Sequence, residues 1–121
     1  MIKQLKLASI LFGLFSLTMA MADTDIVEQE TQYLLDYIEH SGCIFIRNGS
    51  EYSPQKARSH IQRKYDYVKD KVSTTEQVIK YAATESSWTG RPYTINCPNK
   101  TAVPSADWLT KALMDYRGSQ Q

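Results

Sequence analysis

The sequence predicts an α+β domain: four helices packed on a small antiparallel sheet of two or three strands, in the order α-β-(β)-α-α-β-α. Three observations predict it. Four segments repeat apolar residues at helical spacing, two short β-branched runs sit near residues 45 and 95, and Asn48-Gly49 closes a turn after the first run.

The first 22 residues read as an address rather than structure. Lys3 and Lys6 form a positive n-region, Leu7 to Leu17 is mostly apolar, and Ala20-Met21-Ala22 offers the small residues that a signal peptidase reads. Cleavage is expected after Ala22. The apolar run is short for a membrane span, and the first cysteine, Cys43, lies too far on for a lipoprotein anchor. Loss of Lys3 and Lys6 takes 14 basic residues to 12 against 13 acidic, so the net charge falls from +1 to −1. That balance excludes a dedicated nucleic-acid binder. The remaining residues, 23–121, suffice for one compact domain with a frayed tail at 118–121.

Residues 25–40 read as the first helix. Thr24 is the expected cap, Asp25 and Glu28 sit in the first turn, and Val27, Leu34 and Ile38 make the apolar stripe. Cys43 to Arg47 reads as a strand, with Ser50-Glu51-Tyr52 as a brief return. Ser53-Pro54 opens a second helix, to about residue 71, through Ala57, Ile61, Tyr65 and Val68. Ser73 to Glu76 is a capping-box pattern that starts a third, with Val78, Ile79, Ala82 and Ala83 inward. Ser86 to Pro92 is a loop, Tyr93 to Cys97 a strand, and 98–104 a turn-rich connection. Ser105 caps the last helix, 106–117, which carries Trp108, Leu109, Leu113 and Tyr116 and is stopped by Gly118.

Two cysteines in an exported chain point to a disulfide. If the two main strands pair antiparallel with Phe45 opposite Ile95, then Cys43 faces Cys97 and Arg47 faces Tyr93. A zinc site with His40 and His60 lacks ligand spacing, so no metal and no cofactor are expected.

No G-x-S-x-G, H-E-x-x-H, P-loop or dinucleotide fingerprint occurs. The thin catalytic option is a small envelope hydrolase using His60 with Ser86 or Ser87, with Glu51 as a further group. Turn serines and a packed histidine are the plainer readings. Glu51 is also placed to pair with Arg47 across the turn, weakly. The first helix is acidic and the second basic, carrying Lys56, Arg58, Arg63, Lys64, Lys69 and Lys71. Such a helix meets phosphate or an anionic membrane, is a solvated face, or neighbours the acidic helix of its own chain. Trp88, in a polar loop, is the aromatic suited to a surface.

Phe45-Ile-Arg-Asn-Gly49, Glu51-Tyr52, Ala57 with His60, Ser86-Ser87 with Thr89-Gly-Arg-Pro-Tyr93, and Trp108-Leu109 resemble the YfeK-like family of small exported bacterial proteins, a domain of unknown function. The resemblance covers roughly 26–117 and implies a periplasmic location and one compact domain. It supplies no reaction or ligand. Cys43 and Cys97 are not part of its pattern, so the disulfide rests on compartment and register alone.

The expected function is a non-enzymatic binding module of the bacterial envelope, a monomer whose partner is an envelope protein or cell-wall glycan. An inhibitor or immunity protein against a secreted toxin fits the same size and compartment. The expected surface joins Arg47, Asn48, Gly49 and Glu51 of the hairpin to Ser86, Ser87, Trp88, Arg91 and Tyr93 of the loop. The strand register would bring both to one end of the sheet, and loops on a rigid scaffold often carry function.

Overall fold

In the computed structural model, residue 13 and residues 23–121 are described. The expected leader and its cleavage point otherwise lie outside them. The chain forms α1 (Asp23–Glu39), β1 (Ile44–Arg47), β2 (Ser50–Tyr52), α2 (Pro54–Val68), α3 (Thr75–Ala82), β3 (Thr94–Asn96), β4 (Val103–Pro104) and α4 (Ser105–Ser119). A short 3₁₀ turn, Lys69–Lys71, extends α2.

The class is α+β, and the sheet is antiparallel with order β2-β1-β3-β4. Its fourth strand was expected to be loop: two residues carry no readable alternation, and only pairing of Val103 with Ile95 and Pro104 with Thr94 makes them a strand. The central register is the expected one, with Phe45 opposite Ile95. Two residues along from that pair, past Ile44 and Asn96, Cys43 and Cys97 are joined as a disulfide, their Cα atoms 4.2 Å apart. Asn48 and Gly49 both take positive φ, 50° and 77°, which a two-residue hairpin turn demands.

Side-chain parity divides the sheet. Phe45 and Ile95 are buried toward the helices, whereas Ile44, Ile46, Thr94 and Asn96 stay partly or fully exposed. Packing against the inner face comes from α2 and α4. Trp108 of α4 meets Phe45 edge-on, with ring centroids 6.0 Å apart. The core then continues between the helices through Leu34, Leu35, Ile38, Ile61, Val78, Ile79, Leu109 and Leu113. Each such side chain contributes about 1.5–3 kcal/mol of transfer free energy.

Four local expectations need correction. Helix α1 starts at Asp23, so Thr24 lies inside it rather than at its cap. The capping pair of α3 is Thr74 and Gln77, not Ser73 and Glu76: Thr74 Oγ1 accepts from Gln77 N, while Gln77 Oε1 accepts from Ser73 N. Ser105 is the first residue of α4, after Pro104, and is fully buried, its hydroxyl donating to Ala83 O at 2.5 Å. Gly118 does not end that helix, which runs through it to Ser119.

Glu30 is the largest surprise in the interior. A carboxylate on an acidic helix reads as a surface residue, yet its side chain is only 7% exposed and bonds Arg117 Nε at 2.7 Å and Thr75 Oγ1 at 2.6 Å. The Arg117 hydrogen bonds hold the Glu30 carboxyl below its ordinary range against the opposing cost of burial. Arg117 also pairs with Glu76, so one guanidinium ties α4 to both α1 and α3.

Candidate functional site

The hairpin turn and the loop after α3 meet through one side chain. Asn48 Nδ2 donates to Ser86 Oγ at 3.1 Å, and Thr89 Oγ1 donates to Asn48 Oδ1 at 2.6 Å. Both ends of the amide are therefore used. Ser86 Oγ also accepts from Trp88 N and, more loosely, Thr89 N. The loop closes on itself, with Ser86 N bonded to Arg91 O and Gly90 N to Ser86 O. Gly90 takes φ +70°, the left-handed conformation that closes the turn. At the base, Tyr93 N bonds Thr84 O, and Ser105 N bonds Tyr93 O. A polar loop thus becomes a fixed platform, and at its tip Trp88 is 91% exposed.

The nine residues expected to share a surface divide by depth. Gly49, Ser87, Trp88 and Arg91 are exposed, and Asn48 is half-buried in its bridging role. Ser86 and Tyr93 are buried and shape the surface from beneath. Arg47 and Glu51 part company: Arg47 pairs in register with Ser50 while Glu51 pairs with Ile46. They occupy successive rungs and so opposite faces of the sheet. The expected Arg47–Glu51 ion pair is absent among the described residues, because β parity forbids it.

Arg47 instead points to the helix side. It lines an open groove with Tyr52, Lys56, His60 and Arg63. A second groove, lined by His60, Arg63, Lys64 and Ser87 among others, continues the first toward the loop. Between sheet and α2 lies an apolar cavity of only about 20 Å³, room for about one water and too small for a larger ligand. His60 is half-buried, its Nε2 3.1 Å from Tyr93 Oη. Lys64 Nζ donates to the same hydroxyl at 3.2 Å and to Glu85 O at 3.0 Å. Burial, reinforced by Arg47, Lys64 and Arg63, pushes the His60 imidazole down to about 4. Burial also lowers the Lys64 ammonium, with Arg47 adding to it, and raises the Tyr93 phenol.

This arrangement does not assemble a nucleophile and base. His60 bonds Tyr93, and Ser86 Oγ is occupied by Asn48 and backbone amides. Neither Ser86 nor Ser87 hydrogen-bonds His60 among the described residues. Both cysteines are consumed by the disulfide, and the described residues gather no cluster of three His, Cys, Asp or Glu.

Sequence reasoning singled out the loop and missed the groove. The signal was present: Lys56, His60, Arg63 and Lys64 lie three or four apart and so share one face of α2. What it lacked was Arg47, which only the sheet delivers.

Residues 25–117 match a family described as a family of unknown function, DUF5329. The chain belongs to that family. The match takes in every element from the first turn of α1 to the last turns of α4, and so the whole of the clamped loop and groove. Over 49 residues the chain is also 39% identical to the uncharacterized protein YfeK of Salmonella typhimurium strain LT2, covering 40% of this chain and 41% of that protein. The chain thus spans about two fifths of the length of that curated relative. No solved structure matches. Among the described residues no helix is long and apolar enough to cross a membrane.

Proposed function

We propose that this protein is an exported, non-enzymatic binding module of the bacterial envelope, acting in the periplasm. Its contact surface is the Asn48 turn with the loop 86–93, and its partner is cell-wall glycan or an envelope protein. The observation that carries this reading is the mounting of Trp88: an indole left 91% exposed on a loop held at Asn48, Ser86 and Tyr93. Exposing a large apolar ring on a fixed support has little structural benefit, whereas a rigid aromatic loses little entropy when it stacks on a sugar or fills a partner's pocket. The leader-like first 22 residues and the Cys43–Cys97 bridge support export.

The test uses Trp88→Ala with an unchanged thermal midpoint. Purified muropeptides are titrated by calorimetry, and periplasmic extract is passed over the immobilised proteins. The variant should lose muropeptide binding at least about tenfold, the loss of a centrally placed aromatic contact, or lose a captured envelope protein. Equal binding by folded variant and parent in both assays rejects the surface.

A further inference from the structure

The cations of α2 are unevenly provided for. Arg58 is turned toward α1 and bonds Asp36 at 2.5 Å and Glu39 at 2.6 Å. Arg47, Lys56, Arg63 and Lys64 form no ion pair among the described residues, although they line the connected grooves around His60. Of the acids of α1, Asp36 and Glu39 are engaged by Arg58, Glu28 by Tyr65 and Glu30 by Arg117. Lys64 has only uncharged acceptors, Glu85 O and Tyr93 Oη. The Nε of Arg47 is buried with no acceptor at all. A donor left unmatched in this way normally costs stability and asks for a partner.

We propose that this groove binds a phosphate group. Four positive charges with no carboxylate in ion-pair contact, and only the Glu85 carboxylate acting at longer range on Lys64, suit an anion of charge about −1.5 to −2 with three acceptor oxygens, which a phosphate monoester is. A single carboxylate would neutralise one of them. The two guanidiniums provide planar, forked donors and Lys64 a point charge, the combination that favours phosphate. Exposed Tyr67 and Tyr81, 78% and 51% accessible, flank the same groove and offer faces to the rest of the ligand.

Phosphate binding must be coupled to His60. The groups facing that imidazole are Arg47 from β1, Tyr52 from β2, Tyr93 ahead of β3, Lys56, Arg63 and Lys64 from α2, Tyr81 from α3, and Glu85 and Ser87 beyond it. Arg47, Lys64 and Arg63 disfavour the imidazolium. A bound phosphate anion offsets them, so the imidazole takes up a proton more readily in the complex.

The inference rests on reading the protein as a binding module and names the chemistry of the groove beside the loop. Inorganic phosphate, glucose 1-phosphate, and vesicles of phosphatidic acid (a lipid phosphate monoester) or phosphatidylcholine serve as probes. Ring signals of His60 are followed by NMR across pH with and without each probe. Saturable binding of the soluble phosphates, with the His60 midpoint rising by one pH unit or more, supports a free phosphate ligand. Binding to phosphatidic acid vesicles alone supports a lipid headgroup. Arg47→Gln and Arg63→Gln should each weaken the effective probe at least tenfold, and Lys100→Gln should not. Arg63 is exposed, so its variant remains informative if loss of Arg47 disturbs folding. No response to any probe, or full binding by folded Arg63→Gln, overturns the inference. Trp88→Ala should keep phosphate binding, so muropeptide or partner capture through Trp88 without a phosphate response defeats this inference alone.

Discussion

Glu30 and Arg117, 87 residues apart, are joined by two hydrogen bonds, Nε to Oε2 at 2.7 Å and Nη2 to Oε1 at 2.9 Å. The pair locks the final helix onto the first. Glu30 has little solvent to fall back on, while Arg117 remains 42% exposed.

Replacing Arg117 by Gln strands that carboxylate. Breaking a buried pair typically costs about 3–5 kcal/mol, and the exposed guanidinium reduces this to about 2 kcal/mol here. The sign with pH is fixed. Arg117 lowers the carboxyl of Glu30 and also that of Glu76, so their contribution is present above the unfolded carboxylate value and is lost as pH falls through the folded one. Urea midpoints of parent and variant should differ at pH 7 and draw together as pH falls below the unfolded carboxylate value of about 4.3. A constant gap across that range would show that the ion pairs are not its source.

Cys43 and Cys97 close a separation of 54 residues. Removing both, as Cys43→Ala with Cys97→Ala, should cost about 4 kcal/mol in the chain-entropy picture. Denaturant midpoints with and without reductant check this. The parent should lose stability on reduction and the double variant should be indifferent to it.

Asn48 holds the loop with its side chain while its backbone sits at φ 50°. Asn48→Gly keeps the backbone relaxed and deletes only the clamp. Hydrogen exchange at the Trp88 and Thr89 amides should quicken about tenfold, with global stability changed by less than about 1 kcal/mol. Unaltered exchange would mean that the loop stands without Asn48.

His60 titrates at about 4 in the folded chain, below its ordinary 6.5. The unfolded chain therefore binds the proton first, and stability declines as pH falls from about 6.5 toward 4. His60→Gln should flatten that part of the stability profile, measured by thermal melts at closely spaced pH. Arg47→Gln should raise the NMR midpoint of His60, since Arg47 is one of the cations depressing it.

Much of the fold was legible because it is written in local periodicity. The stripe through Ala57, Ile61 and Tyr65 marks α2, and the positive-φ turn at Asn48-Gly49 marks the hairpin. The opposition of Phe45 to Ile95 was readable as well, because two short apolar runs and two cysteines admit few registers. Val103-Pro104 was not legible as a strand, for its only strand-like property is its neighbour. Of the candidate surface, the meeting of the Asn48 turn with the Ser86 loop was foreseen, but the buried, bridging role of Ser86 was not.

The sequence by itself determined the helices, the turn and the pairing of the two main strands, since each depends on residues a few places apart or on a single covalent constraint. Only the tertiary structure decided that Glu30 is buried, that Arg47 turns from Glu51 toward His60, and that Trp88 stands on a fixed loop. Charged and polar side chains take their role from what surrounds them. A carboxylate, a guanidinium or an indole carries no local mark of the partner that burial, strand parity or a distant amide will give it.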